Sequence, residues 1–162
     1  MKYRYTIVTL SELLAVTRDG ENGFITCAEH ARAVPLRHLF VTRASRHAVA
    51  AAELRGLIGQ LGGDPAIGGK IFSTSRRGWV NLPATGSLND DEALVDDCER
   101  GEDHALEVYR NALDEHLPEF VRQVVLRQFE GLMRDHDQIR DLRSESLQGG
   151  VVAASAGGHV RQ

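Results

Sequence analysis

Glu102 is the residue whose position most demands a chemical explanation. Within "LVDDCERGEDHALEVY" (94–109) a helix places Leu94, Cys98, Ala105 and Tyr109 along one stripe, and Glu102 completes it where a core residue belongs. Burying an unpaired carboxylate costs several kcal/mol even after relaxation. Glu102 must therefore be exposed by unusual packing, paired with a cation or donor, protonated, or bound to a metal. Glu21 holds a comparable place on an earlier stripe.

Two chemistries compete for these carboxylates. In the first, Glu21, Glu53, Glu99, Glu102 and His136 converge as oxygen and nitrogen donors for iron or manganese. Outside such a site, Glu53 and Glu99 read as solvated helix edges, and His136 as a hydrogen-bonded core residue. In the second, the chain supplies its own cations. Arg43 and His47 lie on the second stripe with Arg46 on its flank, and a guanidinium offers both positive charge and paired donors to a carboxylate. The residue types favour this second chemistry, a buried polar network of Glu21, Arg43, Arg46, His47, Glu102 and Gln128.

Four helices must position these groups. Thr9 and Glu12 have capping-box spacing, and Leu10, Leu14, Thr17, Glu21, Phe24, Ala28 and Ala31 recur at three and four, which predicts a helix over about residues 9–32. The preceding "MKYRYTIV" reads as extended. Pro35 suits the first turn of a second helix carrying Leu36, Phe40, Arg43, His47, Ala50, Leu54, Leu57 and Leu61, ended by Gly62 and Gly63. A third helix starts at about Asn89 or Asp90, with acids suited to the helix dipole, and ends near Leu117. Pro118 opens the fourth, whose stripe is Val121, Val125, Gln128, Leu132, Asp135, Ile139 and Leu142.

The short first and third connections make each helix pair an antiparallel hairpin. "GGDPAIGGKIFSTSRRGWVNLPATGS" between them is long enough to travel the length of a bundle, and "KIFSTSRRGWVNL" within it could form a short helix that sets Trp79 over the core edge. The expected fold is all-α, a ferritin-like antiparallel four-helix bundle of two hairpins joined by a long crossover. In that topology the first and third helices are antiparallel. If Glu21 faces Glu102, Cys27 and Cys98 fall within ~3 Å of each other in height at ~1.5 Å rise per residue. They form a thiol pair, or serve as two small apolar core residues. The bundle should occupy residues 1–143, and the small-residue segment 144–162 reads as a flexible tail.

Composition removes several function classes. A chain of 162 residues, 42% hydrophobic, suits a single core. Net charge of -4 with acids and bases interspersed leaves no basic patch for a phosphate backbone, so nucleic acid is not an expected partner. No stretch approaches the ~20 apolar residues of a membrane helix, and two cysteines without CxxC spacing fit a reducing cytoplasm. "GGDPAIGGK" fails as a phosphate loop because Ile71 stands where Ser or Thr must bind magnesium. Asp90, Asp91, Glu92, Asp96 and Asp97 read as a solvated helix start rather than a docking face.

The strings "RDGENGF" (18–24), "AAELRGLIGQLGGDP" (51–65), "RRGW" (76–79), "CERGEDHALEVYRNAL" (98–113) and "HDQIRDLR" (136–143) carry a resemblance to an uncharacterised bacterial family of ferritin-like four-helix bundles, related to stress-induced ferritin-like proteins. The resemblance spans about residues 9–143 and implies the bundle fold and a stress association, without an established activity. Its wider superfamily implies a di-iron centre, for which two inward Glu-x-x-His pairs are needed. This chain contains no such motif. The expected role is thus a non-enzymatic cytoplasmic bundle acting by self-association or protein partners, with no cofactor. Its competitor is an iron or manganese protein of oxidase or peroxide-handling type with a degenerate ligand set.

Overall fold

The computed structural model describes residues 2–67, Trp79 and residues 90–160, with side chains described as far as Leu142. Four long helices follow one another: α1 (Arg4–His30), α2 (Val34–Gln60), α3 (Asp91–Asp114) and α4 (Glu119–Val160). α1 packs along α2, α3 along α4, and the two hairpins meet through α1 and α3. The architecture is all-α, two hairpins joined by a long connection. α2 and α4 stand further apart and reach each other through long polar side chains, Arg43 to Asp135 and Arg127 to Glu53.

The helix ends follow from local chemistry. α2 stops in a Schellman turn: Gly63 N–H donates to the Ile58 carbonyl, Gly62 N–H to that of Gly59, and Gly62 takes φ 89°, where a Cβ would be strained. Asp90 caps α3 by accepting from Glu92 N–H at 3.0 Å. Asp91 reaches across to the other hairpin, where its carboxylate accepts the N–H groups of Arg32 and Ala33 at 2.8 and 2.9 Å. It thereby fixes the turn between α1 and α2. Asp97, of the same acidic run, is buried and paired with Arg100.

The first helix starts earlier than its capping-box spacing indicates. α1 begins at Arg4 with Tyr3 at the cap and no side-chain cap bond, so 4–8 is helical rather than extended. Tertiary packing supplies the reason: Thr6 is buried, and Ile7 packs against the core beside Gly63 and Ile58. At the other end of the chain, α4 continues through Val160, so the backbone of the expected tail is helical over 144–160. The helix expected over "KIFSTSRRGWVNL" lies outside the described residues except for Trp79, which is buried.

The core consists of two apolar clusters. One, around Leu10, Leu14, Leu54, Ile58, Tyr109 and Val121, fills the end where α1 begins. The other, around Phe24, Cys27, Phe40, Trp79, Cys98 and Ile139, fills the opposite end. Between or beside the two clusters every helix carries buried polar residues, among them Thr17, Arg43, His47, Glu102 and Asp135. A polar band crosses the middle of the bundle.

Candidate functional site

Arg43 dominates this band. It is fully buried and forms a salt bridge with Asp135, while its Nη2 donates to the Asp135 carbonyl at 3.3 Å and to Gln138. Arg46 joins the same carboxylate from the cleft side, with Nη1 at 2.6 Å from Oδ1. Two guanidiniums thus share one carboxylate. His47 lies one turn on, with Nδ1 at 2.9 Å from the Arg43 carbonyl. A carbonyl only accepts, so Nδ1 carries the proton. Burial pushes the His47 pKa below its ordinary value and keeps the ring neutral, against the backbone bond and Asp135. The ring fits because residue 20 is glycine: a Cβ there would stand 2.5 Å from His47 Cδ2.

Glu102 is 1% exposed, and neither carboxyl oxygen has a hydrogen-bond partner. Burial pushes its pKa up to about 8; the Arg43 charge pulls it down, and Asp135, Asp103 and Glu99 push it further up. Glu102 is therefore protonated at neutral pH, the third of the four states that its sequence position allows. The expected ion pair with Arg43 does not form because Asp135, facing Arg43 from α4, takes that guanidinium. Asp135 was legible as a polar member of the fourth stripe but gave no sign of being the partner.

Glu21 and Gln128 depart from the expected network in different ways. Gly20 rather than Glu21 faces inward on α1, and Glu21 is half-buried along a groove between α1 and α2, with Ile25 and Val41. Gln128 is satisfied elsewhere. Its Oε1 accepts from the Tyr109 hydroxyl at 2.7 Å, and its Nε2 donates to Glu53 Oε1 at 2.8 Å and the Ala50 carbonyl at 3.3 Å. The Thr17 hydroxyl lies 3.2 Å from that of Tyr109. Burial pushes the Glu53 pKa up, but hydrogen bonds from Arg127 and Gln128 outweigh it and hold the carboxyl below its ordinary range. These groups line a cleft of about 340 Å³ between α2 and α4.

A third cluster bridges α3 and α4. Glu99, Asp103 and His136 each offer one donor atom, and the three atoms lie within 4.8 Å of one another. His136 Nε2 sits 2.5 Å from Asp103 Oδ1 without the alignment of a hydrogen bond, and its side chain is 13% exposed. Of the expected metal set, Glu99 and His136 come together, Glu102 stands next to Asp103 in the chain, and Glu21 and Glu53 lie on other surfaces. Asp103 is the member that sequence reading missed. Its signal was the i, i+4 spacing from Glu99, which puts both carboxylates on one helix face. The residues do not fit a di-iron centre, which needs ligands from all four helices. Two carboxylates and one imidazole do fit a single divalent cation.

Cys27 and Cys98 are both fully buried and free, with their sulfurs 3.4 Å apart. Burial pushes the Cys98 thiol well above its ordinary pKa, reinforced by the Cys27 contact. Among the described residues no helix is long and apolar enough to cross a membrane.

The model of a domain of unknown function, DUF2383, matches residues 5–115, which reach from the first turn of α1 to the end of α3. A search of curated proteins finds none that matches the chain.

Proposed function

The chain belongs to the DUF2383 family, and from that premise we propose that it is a divalent-cation-binding helical-bundle protein with Glu99, Asp103 and His136 as ligands. The observation that carries this reading is the approach of three donors, from two helices, to within 4.8 Å of one another. With metal–ligand bonds of ~2.0–2.2 Å, donors on one ion stand about 3–4 Å apart, so small side-chain rotations complete the site. Mixed carboxylate and imidazole donors suit manganese, ferrous iron or zinc. Three protein ligands would leave the ion open coordination positions and Lewis acidity. His136 and the two carboxylates sit on the helices of one hairpin, so a bound cation would also tie α3 to α4.

Metal content tests the reading. Protein purified without an affinity tag from manganese- and iron-supplemented cells is measured by inductively coupled plasma mass spectrometry, beside His136→Ala and Asp103→Ala. The expected result is about one ion per chain, lost in both variants, with a chelator lowering the melting temperature of the parent alone. Parent protein without metal, and with a melting temperature indifferent to manganese and zinc, would end the proposal.

A second reading, a cytoplasmic bundle acting by self-association, is favoured by the groove between α1 and α2. Ile25 and Val41 are exposed there beside the small residues Ala44, Ser45 and Ala48, and small residues permit close helix approach. Sedimentation of the parent and of Val41→Glu decides it. A parent that sediments as a monomer throughout the micromolar range removes it.

A further inference from the structure

We infer that Cys27 and Cys98 form a reversible redox site, at which a hydroperoxide converts two buried thiols into a disulfide between α1 and α3. The sulfurs are already in contact at 3.4 Å, with the Cys98 S–H donating to Cys27 Sγ. Closing them to the ~2.05 Å of a disulfide takes a movement of about 1.4 Å. The two residues belong to the two helices through which the hairpins meet. Both sit in the same apolar cluster, with Phe24, Leu94 and Trp79.

Trp79 selects the oxidant. The indole lies between α1 and α3 at Gly23, four residues before Cys27, and Gly101, three after Cys98. A Cβ at these positions would stand 2.3 and 2.1 Å from ring carbons. Only glycine on both helices lets the ring enter. With Trp79 in place both cysteines have 0% exposure, so an oxidant reaches them only when the packing around the ring opens, and hydrogen peroxide, far smaller than a disulfide, needs the smallest opening.

The step balances with peroxide alone. Cys27, the acceptor sulfur, loses its proton and attacks one peroxide oxygen. The O–O bond breaks, the departing hydroxide takes that proton, and Cys27 becomes a sulfenic acid with release of one water. Cys98 sulfur then attacks Cys27 sulfur. The S–O bond breaks, and the hydroxide leaves with the Cys98 proton as a second water. Two electrons pass from the thiols to the peroxide, and a small dithiol that enters through a wider opening of the same packing reverses the change by exchange.

The full chain, kept in chelator, is treated with hydrogen peroxide, unfolded in the presence of an alkylating agent, digested without reductant and examined by mass spectrometry. The expected product is a Cys27-to-Cys98 peptide pair lighter by two hydrogens. It should come from a chain that runs as a monomer, lose its link in dithiothreitol, and melt at a higher temperature than the reduced protein. The melting shift should be absent in Cys27→Ala and Cys98→Ala, and Trp79→Phe should crosslink faster. Full alkylation of both cysteines after treatment, oxidation to sulfinic or sulfonic acid without a link, or a link only between separate chains would each overturn the assignment. The chelator keeps this outcome independent of the cation reading.

Discussion

Replacing Glu102 by Gln should remove a pH-dependent loss of stability that the parent carries. In the folded chain the Glu102 carboxyl titrates at about 8, against an ordinary 4.5, chiefly because burial disfavours its charge. Below pH 4.5 both folded and unfolded chains hold this proton, and Glu102 contributes nothing to pH dependence. Between 4.5 and about 8 the unfolded chain has released it while the folded chain retains it, so each rise in pH favours unfolding. Above 8 both forms are ionised and the loss is complete. At about 1.4 kcal/mol per pH unit, the separation amounts to about 5 kcal/mol, of which about 3 kcal/mol is already lost at pH 7. A glutamine cannot ionise and suffers none of it. Urea unfolding of both proteins in chelator, from pH 5 to 8.5, should therefore give a stability difference that grows in favour of Glu102→Gln by about 1.4 kcal/mol per unit and levels off above pH 8. Taking the difference cancels the titrating groups that do not interact with Glu102. A difference that stays constant over this range would refute the argument, because it would mean that Glu102 is ionised and paired inside the fold.

Two pairs of substitutions give further predictions. Gly101→Ala should expel the indole that its new methyl would meet at 2.1 Å. The emission of Trp79, the chain's one tryptophan, should then shift to the red, with a stability loss of about 1–3 kcal/mol. Gly56→Ala, with open space around its Cβ, should instead gain up to ~1 kcal/mol from helix propensity. Removing the Asp135 carboxylate by Asp135→Ala leaves the fully buried Arg43 without its counter-ion and should cost about 3–5 kcal/mol. Arg46→Ala takes a mostly exposed partner from the same carboxylate and should cost under about 1 kcal/mol in the same denaturation assay. Equal losses in these two variants would contradict the asymmetry of the pair.

The amino-acid sequence by itself determined the four helices, their pairing into hairpins and the interruption of the α3 stripe by Glu102. Each of these is a local property: stripe spacing follows from 3.6 residues per turn, and a turn of three or four residues permits only an antiparallel return. The approach of Cys27 to Cys98 was legible for a related reason, since axial height along antiparallel helices can be counted in residues. Tertiary structure alone decided which groups meet. Glu21 and Gly20 differ by one residue, or about 100° of rotation, and an apolar stripe is itself that wide, so periodicity could not say which of them faces inward. Asp135 rather than Glu102 pairs with Arg43 because the rotation of α4 brings its carboxylate to the guanidinium first. Asp103 meets Glu99 and His136 only through the axial register of α3 against α4. Such rotations and registers are set by the packing of whole side-chain layers, and differences smaller than one helical turn leave no mark on a hydrophobic pattern.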